Sequence, residues 1–251
     1  MGAAPLSAAE ALPTSPRVMD IVANRRWLSR AKPFPHVVVD NLFADGFYRA
    51  LEHQFLEMLR RRPQALPSPG RDGRDRGQQD MYAMMLPPNI GGPLAIFLSK
   101  EWHDTLAGLF AVPATGDIEC LLHSHPVGSG HGWIHNDLWA QALESDAPDQ
   151  RRKTVRAAAV LFYLGNPPWS PEDGGETGLY ARPSDPPGLP VVAVPPVNNS
   201  LLAFECTPFS WHGYLSNRRS VRNSIVFWIH RSWADAAGHW GGEALRSRRF
   251  R

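Results

Sequence analysis

SLLAFECTPFSWHGYLSNRRSVRNSIVFWIH (residues 200–230) packs three short runs rich in aliphatic and aromatic residues into one stretch. The runs SLLAFE, WHGYL and VRNSIVFWIH are separated by Pro208, Ser210, Asn217 and Ser220, and no helical spacing intervenes. Short apolar runs bounded by turn formers read as strands. The same texture extends back to residue 118 through IECLLHSH, WIHNDLW, VRAAAVLFYLG, TGLYA and PVVAVP. Many short strands in series indicate a sandwich or barrel. We expect a jelly-roll core of about eight strands, a double-stranded β-helix, over residues 116–232.

Upstream the periodicity changes. HVVVD (36–40) is a β-branched run, hence a strand, and Asp45 is placed to cap a helix. That helix carries Phe47, Leu51, Phe55, Leu56 and Leu59 at helical spacing and ends in Arg60–Arg62 before Pro63. Residues 92–110 show helical spacing again. Helices first and strands later give an α+β fold, with the N-terminal helices packed on one sheet. The expected layout is a disordered lead-in over 1–16 and a single domain over 17–251. Within it, 17–115 forms the helical and strand layer, 116–232 the core and 233–251 a basic tail. Residues 63–80 are breakers and charge, hence a long loop, either a lid or disordered.

Bulk properties exclude several classes. A hydrophobic fraction of 43% and a charged fraction of 20% are those of an ordinary globular chain. No apolar run is long enough to span a membrane, so no membrane partner is expected. Net charge is +2. Residues 60–76 hold six Arg against two Asp and residues 246–251 four Arg, so each stretch is +4 and the rest of the chain is −6. The basicity is segmental, and the body is not a nucleic-acid surface. Cys120 and Cys206 sit in apolar runs and read as buried free thiols, which suits a reducing cytoplasm.

The chemistry sits in the strand region. His135 and Asp137 are two positions apart, hence on one face of a strand. His212 follows much later in FSWHGY. Two imidazoles and a carboxylate on one side of a metal leave its other positions open, as non-haem Fe(II) oxygenases require. Arg222 opens the last strand, with Ser224 on its face, and a planar guanidinium can fork onto a carboxylate as Lys cannot. H-x-D alone is a weak pattern. H-x-D, a distant His, and R-x-S ten residues further on is a strong one.

With PFPHVVVDNLF, IHND, RAAAVLFYLG, GGETGLY, PPVNNSLLAFE, FSWHGY and RNSIVFW in hand, the chain resembles the prolyl-hydroxylase-like branch of the 2-oxoglutarate- and Fe(II)-dependent oxygenases over roughly residues 33–232. The resemblance implies a dioxygenase that hydroxylates an unactivated C–H bond, with succinate and CO2 released. It implies Fe(II), 2-oxoglutarate and O2 as cofactor and co-substrates, with ascorbate a candidate reductant. It assigns iron to His135, Asp137 and His212, and the far carboxylate of 2-oxoglutarate to Arg222 assisted by Ser224. One departure stands out: the family's Tyr on the strand before H-x-D is missing, and His123 or His125 takes its place. The substrate, a small molecule or a peptide, is not identified, nor is hydroxylation distinguished from desaturation; loops 63–80, 140–153 and 181–190 are expected to select it.

Other readings compete. His123, His125, His131 and His135 could form a zinc cluster, which leaves Asp137 and Arg222 unexplained. A cupin-like isomerase or a non-catalytic binding module on the same scaffold would need the metal ligands at most, and not Arg222. Trp133, Trp139, Trp211 and Trp228 flank the ligands and are expected to wall the site; Tyr163 and Trp139 are the candidates for substrate contact.

Overall fold

The computed structural model describes residues 17–61, 81–138, 140–143 and 152–246. The lead-in 1–16, the loop 63–80, Trp139 and the Arg-rich terminus 247–251 lie outside the described residues.

The chain opens with α1 (Val18–Ile21), β1 (Leu28–Arg30), β2 (His36–Val39) and α2 (Asp45–Arg60). Next come β3 (Tyr82–Met85), a 3-10 turn (Pro93–Leu98) and α3 (Lys100–Leu109). The core strands are β4 (Ala114–His125), β5 (Ala140–Leu143), β6 (Arg152–Tyr163), β7 (Thr177–Leu179), β8 (Val192–Val194), β9 (Ser200–Glu205), β10 (His212–Tyr214) and β11 (Arg222–Ser232). Two short helices, α4 (Trp233–Trp240) and α5 (Gly242–Arg246), follow, in the segment the sequence suggested as a tail.

Two antiparallel sheets form the jelly roll. The larger runs β1-β2-β9-β6-β11-β4-β3 with β5 paired to β6, and the smaller runs β10-β7-β8. β6 and β11 are central strands of the large sheet and are buried on both faces, which explains their continuous apolar runs. Alternation along them builds two different cores. Phe162, Ile225, Phe227 and Ile229 face the helical layer and pack with Leu51, Phe55, Phe97 and Trp102. Phe162 is the hub of that layer, with its ring 5.2 Å from Phe43 and 5.5 Å from Phe97. The other parity, Leu161, Tyr163, Val226 and Trp228, faces the small sheet with Leu179, Leu202 and Phe204. The helices therefore close one side of the large sheet, and the chemistry is left to the other.

Three expectations are corrected. WIHNDLW is not a strand: among its described residues only His135 makes a bridge, to His212. Asp45 does not cap α2, because Ala44 holds the N-cap position and Asp45 is the first helical residue. There its charge still suits the positive end of the helix dipole. The helical spacing over 92–110 divides at Ser99, whose side chain accepts a hydrogen bond from the Trp102 N–H and starts α3 afresh.

Because Phe162 is fully buried between the sheet and the helical layer, Phe162→Ala should cost about 3–5 kcal/mol. A shift in the denaturant midpoint worth under about 1 kcal/mol would contradict this packing.

Candidate metal and co-substrate site

Two backbone hydrogen bonds bring the ligand segments together. The His135 N–H donates to His212 O at 2.9 Å, and the His212 N–H donates to His135 O at 2.8 Å. The pair attaches the loop before Asp137 to the edge of the small sheet. Only glycine fits beside it, since a Cβ on Gly213 would sit 2.9 Å from Trp133 O.

Both rings are oriented by carbonyls. His135 Nδ1 lies 3.1 Å from Trp133 O, and His212 Nδ1 lies 2.9 Å from Ser210 O. A carbonyl oxygen can only accept, so each Nδ1 carries a proton and Nε2 is the ring atom left to face a metal. Those Nε2 atoms point at one carboxylate: His135 Nε2 is 3.7 Å from Asp137 Oδ1, and His212 Nε2 is 3.4 Å from Asp137 Oδ2. The donor atoms of the three residues lie within 4.8 Å of one another, and among the described residues no other His, Cys, Asp or Glu group does so. Two imidazole nitrogens and a carboxylate oxygen fit a divalent transition metal.

The electrostatics agree. Burial pulls His135 down to about 4, helped by His212, so its ring is neutral at neutral pH. Burial pushes the Asp137 carboxyl up, but His212, Arg156 and His135 outweigh it and hold it well below the usual carboxylate range. Asp137 is itself braced on both oxygens, by Arg156 Nη1 at 3.1 Å on Oδ1 and by Trp228 Nε1 at 2.7 Å on Oδ2.

At the other end of the same face lies Arg222, buried to 3% exposure. Its hydrogen bonds go to two hydroxyls, Ser224 Oγ at 2.9 Å and Thr177 Oγ1 at 3.1 Å. Tyr163 donates to or accepts from Thr177 at 2.7 Å, under the guanidinium. Among the described residues no carboxylate pairs with Arg222, and its buried Nε has no partner. Gly175 (φ 81°) passes close beside Arg222, where an added Cβ would sit 3.3 Å from the Arg222 stem. A buried charge without a counterion is costly, and an anionic ligand is what this one lacks.

The register separates the two histidines that the sequence left open. His123 stands opposite Ser224, and His125 opposite Arg222. Both rings are pulled down by burial and then by Arg222, to about 3 and about 2. His123 also feels Asp137, so it lies between the anchor and the ligands. His125 stacks on Tyr214 at 3.9 Å, on the far side. His131 is drawn off to the Ser216 N–H, so no zinc cluster of histidines assembles. Tyr163, a candidate for substrate contact, is fully buried at the Arg222 end instead. Arg156 and Thr177 carry no functional signal in the sequence, and Trp228, expected as a wall of the site, instead donates to Asp137. The family-like segments VRAAAVLFYLG and GGETGLY contain two of them, but nothing in their spacing aims them at the site.

The model of the 2OG-Fe(II) oxygenase superfamily matches residues 121–230, the stretch that holds all these side chains. A prolyl 3,4-dihydroxylase of Ostreococcus tauri is 30% identical over 125 residues, 47% of this chain and 21% of that one. The chain thus spans about a fifth of that relative's length. A Pseudomonas putida prolyl-4-hydroxylase structure matches with a TM-score of 0.57 at 19% identity, covering 78% of this chain and 92% of its own. A prolyl hydroxylase of Trichoplax adhaerens, solved with a hypoxia-inducible-factor peptide, gives a TM-score of 0.54 at 19% identity, covering 80% and 86%. Residues 121–230 thus match the 2OG-Fe(II) oxygenase superfamily in sequence, and the α+β jelly roll around them is similar in fold to those solved prolyl hydroxylases.

Burial of neutral histidines has a pH consequence. His125 (about 2) and His230 (about 4) are both lowered, chiefly by burial. The unfolded chain binds their protons below about pH 6.5 and the folded chain does not. Stability should therefore be full above pH 6.5 and fall by about 1.4 kcal/mol per pH unit for each histidine as pH drops toward 5. Urea midpoints at pH 7, 6 and 5 measure this, and a flat profile would rule out the neutral buried rings.

Proposed function

We propose that this chain is a Fe(II)- and 2-oxoglutarate-dependent dioxygenase that hydroxylates an unactivated C–H bond. The observation that carries the reading is the pairing, between the two facing sheets, of the His135–Asp137–His212 donor set with the buried guanidinium of Arg222, which no carboxylate among the described residues pairs. A metal-binding isomerase or a binding module on this scaffold would use the first and have no use for the second.

His135, Asp137 and His212 would hold the iron. Bound there with 2-oxoglutarate and O2, it supplies the oxidising chemistry, and succinate and CO2 are the co-products. The chain's own groups position and shield. Arg222 takes the far carboxylate of 2-oxoglutarate, Ser224 and Thr177 keep the guanidinium in plane, and the Tyr163 hydroxyl closes that end. His123, rather than His125, contacts the co-substrate midway, as a neutral ring. Leu161, Leu179 and Val226 keep water from the space between, where charged contacts are strongest.

The substrate class we infer is a prolyl residue in a peptide. The named relatives are prolyl hydroxylases, one seen with a peptide. The mouth of the site suits this. His135 is the ligand with an edge toward solvent, its side chain 29% exposed. Trp133, 49% exposed, stands with its ring 6.2 Å from His135. Phe209, 71% exposed, lies in the turn before His212. Aromatic surfaces of this kind dock proline-rich extended peptides. Among the described residues no helix is long and apolar enough to cross a membrane, and two buried free thiols suit a reducing cytoplasm.

Anaerobic titration with Fe(II) and then 2-oxoglutarate tests the assignment. We expect a visible charge-transfer band, lost in His212→Ala. In Arg222→Met, Fe(II) should still bind while 2-oxoglutarate weakens about 10- to 100-fold, the worth of a charge-assisted hydrogen bond. Fe(II) binding with no band in the wild type would return the chain to the isomerase or binding-module reading.

A further inference from the structure

The two histidine ligands are oriented by backbone carbonyls, but a carboxylate ligand has no such tie. It has two equivalent oxygens and can swing between them. We propose that Arg156 and Trp228 form a clamp that fixes Asp137 in its metal-binding orientation, making Arg156 a positioning residue for the site. This inference rests on the iron reading above.

The clamp is rigid at each joint. Arg156 comes from β6 and Trp228 from β11, paired central strands of the large sheet. Their donors take different oxygens of Asp137, at 3.1 and 2.7 Å. The guanidinium lies 3.6 Å over the Trp228 ring. Its outer edge is held by Glu119 from β4, whose Oε2 accepts from Nε at 3.1 Å and from Nη2 at 2.9 Å. Stacking and the Glu119 contact leave Arg156 one orientation, so its third contact can point only at Asp137.

The backbone has been bent to allow this. Strict alternation from Tyr163 and Leu161 would send residue 156 to the helical side. The register shifts between Ile229 and His230, so that Ala158 faces Ile229 while Arg156 faces His230. Ala157 and Ala158 both pack into the helical-side core. That extra residue turns Arg156 to the inner face, as bulges beside functional sites do. The bland alternative is an ion pair kept for stability. Against it, a buried Glu–Arg–Asp triad gains little over apolar packing, and this one ends on a metal ligand.

Co(II) binding, followed by its visible spectrum, tests the clamp without turnover. Arg156→Met should weaken Co(II) binding about 10- to 100-fold, the usual effect of losing a ligand's supporting contact, and alter the spectrum. Arg156→Lys, which keeps the charge but not the fork or the stacking, should recover only part of the loss. Trp228→Phe keeps the ring under Arg156 and removes only the N–H; it should weaken binding less than Arg156→Met, and it decides the question if Arg156→Met does not fold. Should His212→Ala abolish binding while the folded clamp variants keep wild-type affinity and spectrum, the clamp is wrong and the iron site stands. Should His212→Ala bind Co(II) like wild type, the metal lies elsewhere and both fall.

Discussion

Everything at the site depends on the backbone bridge between His135 and His212. The two residues lie far apart in sequence, one in a loop and the other opening a three-residue strand. Reciprocal N–H to carbonyl bonds at 2.9 and 2.8 Å hold them side by side. Their ring centroids are then 4.3 Å apart, and Asp137, two residues on, falls beneath both. Carbonyls at Trp133 and Ser210 select the tautomers. The geometry is thus set by main-chain atoms, which do not depend on side-chain rotamers, and the one flexible ligand is braced separately.

The second constraint is charge. Asp137 shares the buried face with Arg156, and Glu119 balances Arg156 from the other side. Arg222 has no such balance among the described residues and is surrounded by hydroxyls and aromatic rings. Desolvating a guanidinium that is left unpaired opposes folding. Its presence makes sense if an anion arrives there in the working state. The two ends of the face therefore ask for opposite things, a cation between His135, Asp137 and His212 and a carboxylate at Arg222. A 2-oxo acid with a second carboxylate can answer both.

The core strands and the ligands were legible because their signals are short-range. Continuous apolar runs bounded by turn formers mark β6, β9 and β11, and H-x-D, the later His and R-x-S are fixed residue types at fixed spacings. β2 was visible as HVVV, whereas β1 (LSR) and β3 (YAMM) were not, being short edge strands without clear alternation. WIHNDLW resembles a strand through its aromatic and apolar residues, while its described residues form a loop that bridges to the small sheet at His135. The clamp was hidden for a different reason. Arg156 reaches Asp137 only because a bulge reverses the parity of β6, and a bulge leaves no mark in a run of alanines. Thr177 was likewise an ordinary strand residue until the sheets were placed face to face. The choice between His123 and His125 needed the register against Ser224 and Arg222, which two residues of equal parity on one strand cannot supply.

The most direct measurement is anomalous diffraction at the iron edge from crystals grown anaerobically with Fe(II) and 2-oxoglutarate. The account predicts one peak about 2.0–2.2 Å from His135 Nε2, an Asp137 oxygen and His212 Nε2, a distance ordinary for nitrogen and oxygen ligands of such ions, with the far carboxylate of the co-substrate on Arg222. A peak among His123, His125 and His131, or 2-oxoglutarate bound away from Arg222, would contradict it.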